Sequence, residues 1–330
     1  MKQSRLLICA LILLFALPVF AQDDADSAWT TFTTQNGRIF GIALNPDETI
    51  IATISAITIR QNQELAFIDF VLEVFDLETG ERLVDIPATD DDKMDNLAFS
   101  PDGTLLAVGY YTGDIEIYDT ESFEQIGFVD NVYSGGGRQF EFSPDGQYII
   151  GERGTTNVVS TDDWTIIAST WGANEEFIIH AAVSPDSTQF ATTDFGDSLN
   201  IHDIETGEIL ESFEGLFDNT GFLFWNTDET IIFESERALH VFDIASGEST
   251  IAFNIDGVVI QTMVLSPDNT QALVSTFENT LTLWDIATGE MLVDFPLETY
   301  RGPRFADFGE TMIAVAEDST VYVQSLGESE

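Results

Sequence analysis

The sequence predicts an all-β fold of seven repeated four-stranded units closed into a ring. Three observations lead there. A Pro-Asp turn recurs through the 330-residue chain, an Asp-x-x-Thr-Gly-Glu turn recurs in phase with it, and short runs of alternating β-branched and aromatic residues lie between them.

The first register begins with "LNPDETIIAT" at 44–53. It returns as "FSPDGTLLAV" at 99–108, "FSPDGQYIIG" at 142–151, "VSPDSTQFAT" at 183–192 and "LSPDNTQALV" at 265–274. Weaker copies stand at 225–234 and 307–316, which makes seven. From Pro46 through Pro101, Pro144, Pro185, Thr227 and Pro267 the steps are 55, 43, 41, 42 and 40 residues. Proline fixes the backbone at the second position of a tight turn, and Asp, Asn or Gly suits the later ones. The second register is "LEVFDLETGE" at 72–81, "IEIYDTESFE" at 115–124, "LNIHDIETGE" at 199–208, "LHVFDIASGE" at 239–248 and "LTLWDIATGE" at 281–290, with degenerate copies at 157–166 and 321–330. There an Asp side chain can accept nearby backbone N–H groups, and Gly takes a left-handed conformation. The runs between the turns read as strands. About four strands per period, with periods of roughly 40–45 residues, describe a seven-bladed β-propeller.

The ends support closure of the ring. The seventh copy stops at "VYVQSLGESE" after its third strand, while "AWTTFTT" at 28–34 precedes the first inner strand. The N-terminal strand is therefore expected to complete the last blade and remove an open edge. The domain reading is a signal peptide at 1–21, a short linker at 22–27 and a single propeller at 28–330. Lys2 and Arg5 precede an apolar run from Leu6 to Phe20, and Ala21 closes a small-residue cleavage site. The run is too short for a comfortable span of ~20 residues. The expectation is an exported chain (periplasmic, cell-surface or extracellular) with no membrane insertion after cleavage.

Composition narrows the function. Cys9 is the one cysteine, and it falls in the leader, so disulfides, thiol catalysis and cysteine metal ligation are excluded from the mature chain. The net charge is −47, from 11 basic and 58 acidic residues. Phosphate backbones and anionic membranes repel such a body, so nucleic acid is not an expected partner. The acidity suits solubility or a salty environment. An apolar fraction of 44% is ordinary for a globular chain.

The two turn registers resemble the WD-repeat family over nearly all of residues 28–330, with Trp284-Asp285 as the one Trp-Asp pair. The Gly-His pair of the strict family is missing. The chain therefore looks like a looser bacterial, exported relative, and the buried Asp–His–Ser/Thr–Trp network is not expected. The resemblance implies a binding or scaffolding platform and no particular chemistry. It also implies that both turn registers share one face, with the b–c and d–a loops on the other.

Seven arginines fall in or beside those other loops: Arg38, Arg60, Arg138, Arg153, Arg237, Arg301 and Arg304. Two arrangements follow from this. Either they form a cationic mouth that holds a small anionic ligand or a protein partner, or each pairs with a neighbouring acid such as Glu152, Glu236 or Glu298. The 55-residue first period predicts an elongated b–c hairpin over 53–76, which either folds over neighbouring loops or offers Phe67 and Phe70 as partner contacts. His180, His202 and His240 lack ligand-like spacing and read as packed strand residues. The sequence contains no nucleophile elbow, phosphate loop or calcium loop. No catalytic residue, metal or cofactor is assigned. The expected function is a monomeric, non-catalytic binding platform. The alternatives are a lactonase-like hydrolase using Glu152, Arg138 and His180, and a structural envelope or surface protein.

Overall fold

The structure, a computed structural model, describes residues 30–34, 38–61, 64–88, 93–132, 139–152, 154–172, 175–216, 220–254, 260–266, 268–278, 280–295, 306–308, 311–315 and 320–325. The expected leader at 1–21 and linker at 22–27 lie outside them, as do Arg138, Arg153, Arg301 and Arg304.

The described strands form four-stranded antiparallel sheets. β1 (Thr30–Thr33) opens the chain. The first blade follows with β2 (Arg38–Leu44), β3 (Ile50–Gln61), β4 (Glu64–Asp76) and β5 (Arg82–Pro87). The second holds β6 (Met94–Phe99), β7 (Leu105–Tyr110), β8 (Ile115–Asp119) and β9 (Gln125–Val129). The third holds β10 (Gln139–Phe142), β11 (Tyr148–Glu152), β12 (Thr156–Ser160) and β13 (Ile166–Thr170). The fourth holds β14 (Ile178–Val183), β15 (Gln189–Asp194), β16 (Ser198–Asp203) and β17 (Ile209–Glu214). The fifth holds β18 (Thr220–Thr227), β19 (Thr230–Ser235), β20 (Ala238–Asp243) and β21 (Glu248–Asn254). The sixth holds β22 (Ile260–Leu265), β23 (Gln271–Thr276), β24 (Leu281–Asp285) and β25 (Met291–Phe295), and the chain closes with β26 (Ala306–Phe308), β27 (Thr311–Val315) and β28 (Thr320–Ser325).

The expectation of a seven-bladed propeller is corrected here to six blades and a composite sheet. Six blades are built from four consecutive strands each. The remaining sheet is a composite of both ends, ordered β1-β28-β27-β26, in which β1 runs antiparallel to β28 from Thr30↔Val323 to Thr33↔Thr320. The physical reason is that the last repeat contributes only three strands, and β1 covers the edge that β28 leaves open.

Radial order follows from burial. First strands pack side by side, β2 between β6 and β26, and β26 also against β22, so they line the inside of the ring. Second strands such as β15 and β23 are almost wholly buried, whereas the fourth strand β17 is exposed along most of its length. A four-stranded meander places its first and third turns on one rim. The second turn and the connection to the next sheet lie on the opposite rim.

The turn rim is made by local chemistry. Ser100 Oγ donates to Asp102 Oδ1 at 2.6 Å, Leu105 N–H donates to Ser100 Oγ at 2.9 Å, and Thr104 N–H donates to Asp102 Oδ1 at 3.0 Å. The same pattern returns around Ser143, Ser184 and Ser266. In the other register, Thr79 gives both its N–H and its hydroxyl to Asp76 Oδ1, at 2.7 and 2.6 Å. The hydrogen bonds of Thr79 hold the Asp76 carboxyl below the usual range. Asp203 and Asp285 are held low in the same way by Thr206 and Thr288.

The residue before that Asp joins adjacent blades. Trp284 stacks on Phe253 of the preceding blade at 4.8 Å and donates Nε1–H to Thr282 Oγ1 at 2.8 Å. Phe242 meets Phe213 edge-on at 4.9 Å. His202 fills the same slot in the fourth blade, stacked on Phe190 at 4.6 Å, with Nε2 2.8 Å from Thr192 Oγ1 and Nδ1 3.3 Å from Gly207 O. Burial pushes its imidazole down to about 4, so near neutral pH the ring is uncharged and joins its partners as one donor and one acceptor.

Candidate functional site

The first-blade hairpin extends as β3 and β4, paired out to Gln61↔Glu64. A register shift between Ser55 and Ile57, with Asp69 at φ 53°, interrupts the alternation. That bulge lets Phe67 and Phe70 turn to the same side, where both meet Phe40 at ring-centroid distances of 4.8 and 5.0 Å. Phe70 is only 4% exposed and belongs to the core. Phe67 is half-buried beneath Arg38, whose guanidinium carbon lies 5.0 Å from the Phe67 ring centre and 5.4 Å from that of Phe40.

Of the seven expected arginines, the structure describes the side chains of Arg38 and Arg237, which lie on different blades. Arg60 lies in β3, with its side chain outside the described residues. Arg237 is exposed in the second turn of the fifth blade, at φ 66°, and donates its N–H to Glu234 Oε1 at 3.0 Å. Burial pushes the Glu234 carboxyl up, while the hydrogen bonds from Arg237 and Gly221 and the charge of His180 pull it back. A Cβ at Gly221 would overlap Glu234 Oε2. Glu234 thus caps two backbone N–H groups. Arg82 pairs with Glu73 at 3.3 Å, which holds a fully buried carboxylate.

The feature that sequence reading passed over lies on the same loop rim. Tyr111, Trp171, Phe177, Phe195 and Phe277 are all exposed there. Three of them are neighbours. Trp171 meets Phe177 edge-on at 5.4 Å, and Phe195 donates its N–H to Phe177 O at 3.1 Å. Their exposures are 43%, 50% and 63%, high for rings fixed in a hydrogen-bonded frame.

Asp194 fixes that frame. It is 1% exposed; its Oδ1 accepts N–H groups of Gly196 at 2.9 Å and Ser198 at 3.1 Å, and its Oδ2 accepts the Asn200 amide at 3.0 Å. Gly172 lies against the same carboxylate so closely that a Cβ there would come within 2.6 Å of Asp194 Cβ. Gly172 N–H donates to Glu176 O at 3.0 Å, and Gly154 and Ile178 exchange N–H···O bonds across the third and fourth blades. Residues 171–172 and 175–177 and the turn at 195–197 are therefore pinned together, with Glu175 and Glu176 exposed beside the rings. It offers stacking faces and carboxylates. Among the described residues no group of three or more His, Cys, Asp or Glu is placed to hold a metal ion.

Residues 65–131 match the model of the Anaphase-promoting complex subunit 4 WD40 domain. Among solved structures, the β-propeller domain of Cps50 (Swd1) from Myceliophteria thermophila covers 90% of this chain and all of its own, with a TM-score of 0.73 at 13% identity. The chain is a β-propeller, and residues 65–131 are similar to a WD40 domain. At that identity the likeness shows the fold alone. The family-model match runs from β4 and β5 of the first blade through the whole second blade, where both turn registers are well formed. Function on such a fold is carried by sites on its loops, so the loop rim is where the site's chemistry has to be read.

Proposed function

We propose that the propeller is an exported, monomeric, non-catalytic platform that docks a protein partner on its b–c and d–a loop rim. The observation that carries this reading is the concentration of exposed aromatic rings on that rim, with Trp171, Phe177 and Phe195 held by the buried Asp194. Rigid aromatic side chains lose little entropy on binding and commonly supply ~2 kcal/mol or more each at interface centres. A small anionic ligand has less support: Arg38 already rests on Phe40 and Phe67, and Arg237 stands apart from it on another blade. The leader-like segment at 1–21 supports export.

Site-specific photocrosslinking in cells producing the full chain tests the reading. A photoreactive residue at position 195 should give a discrete protein adduct, and one at Glu121, exposed on the opposite rim, should give none. Equal labelling from both positions, or an adduct from 121 alone, overturns the proposal.

A further inference from the structure

The second and fourth blades repeat one rim arrangement with a difference. In the second blade, Tyr111 N–H donates to Lys93 O at 2.8 Å, and the Lys93 ammonium lies 5.7 Å from the Tyr111 ring centre. In the fourth blade, Phe195 N–H donates to Phe177 O at 3.1 Å. Phe195 and Tyr111 both follow the second strand, and Phe177 and Lys93 both precede the first. The position that supplies a cation to the ring in the second blade therefore supplies another ring in the fourth. Among the described residues, cations lie over Phe40, Phe67 and Tyr111 and over none of Trp171, Phe177 and Phe195.

Charge surrounds these uncovered rings. Glu175 and Glu176 are exposed between Trp171 and Phe177, and Asp197 is half-buried beside Phe195. The Glu176 stem runs past the Phe195 turn, 3.3 Å from where a Cβ on Gly196 would sit. The whole chain carries −47. A ring face attracts a cation through its quadrupole, and a carboxylate beside the ring adds to that attraction. Resting on the reading of the rim as a docking surface, we infer that the Trp171–Phe177–Phe195 platform receives a basic segment of another protein. Arginine or lysine side chains of that segment lie over the rings and reach the flanking carboxylates. The fourth blade takes from a partner the cation that the second blade takes from Lys93.

The test is fluorescence anisotropy of a labelled peptide alternating arginine, lysine and glycine, titrated with the full chain at ~0.15 M salt, where diffuse attraction is screened beyond ~8 Å. Trp171→Ala and Phe195→Ala should each weaken binding about tenfold. Phe277→Ala, an exposed ring on the same rim of the sixth blade, should leave it unchanged. Both affected side chains are solvent-exposed, so unchanged thermal melting shows that folding is intact. Peptide binding indifferent to Trp171 and Phe195 reflects net charge alone and overturns the inference. So does loss of binding only in Phe277→Ala, which moves the docking point yet leaves the rim reading in place. If the peptide does not bind while the position-195 crosslink still forms, this inference fails and the platform stands. Loss of the crosslink as well removes both.

Discussion

Asp194→Ala is the substitution that most directly tests whether the loop platform is pinned. Three donors converge on this carboxylate: the N–H groups of Gly196 and Ser198 and the Asn200 amide, at 2.9, 3.1 and 3.0 Å. Gly196 is exposed, so water can replace its lost partner. Ser198 and Asn200 are buried, and their donors have no such recourse. Each buried donor left unsatisfied costs ~1–3 kcal/mol, which puts the loss at roughly 2–6 kcal/mol. For a chain of this size that lowers the melting temperature by roughly 3–10 °C. Denaturant unfolding followed by circular dichroism reads the free energy, and Trp171 emission reports on the loop beside the substitution. A loss below ~1 kcal/mol with unchanged Trp171 emission would refute the claim that Asp194 holds the two loops together.

Other expectations follow from the packing and the titrating groups. His202 is depressed from 6.5 to about 4 in the folded chain, so the unfolded chain binds the extra proton between those values. Stability from this site is complete above pH 6.5 and falls by ~3 kcal/mol as pH drops to about 4, a window that urea titrations at stepped pH would show and that His202→Phe should flatten. Trp284→Ala removes the stack on Phe253 and should cost ~2–4 kcal/mol, whereas Trp284→Phe keeps the stack and loses only the Thr282 hydrogen bond, costing ~1 kcal/mol by the same unfolding measurement. Gly80 and Gly289 share φ near +68°, but a Cβ at 80 meets open space and one at 289 comes within 2.5 Å of Ala252 O. Gly80→Ala should therefore cost ~1 kcal/mol and Gly289→Ala clearly more; equal losses would show that backbone conformation alone decides both.

What was legible in the sequence was the part made by local chemistry. Asp102 and Asp76 bond to residues two or three positions away, so their turns recur as short words in the chain. The slot holding Trp284 was visible as an aromatic position, but its partner Phe253 belongs to the preceding blade, and no local pattern names it. Phe67 and Phe70 are three positions apart, which puts them on opposite faces of a regular strand, and the bulge at Asp69 turns both onto Phe40. The arginines drew the eye as rare charges in an acidic chain, yet Arg38 is spent on two rings. Trp171, Phe177 and Phe195 were missed because they sit in short loops leading into and within the fourth blade, where apolar residues look like strand ends. The signal was there: Trp171-Gly172 and Phe195-Gly196 each set a large ring beside a glycine, outside both turn registers.

Hydrogen exchange on the full chain, measured segment by segment with and without the basic peptide, tests the central claim most directly. The account predicts slow exchange at Gly172, Phe195 and Ser198 in the free protein and added protection on binding confined to 171–177 and 195–198. Protection that appears instead on the Ser-Pro-Asp rim, or exchange of those three amides at unstructured rates, would contradict it.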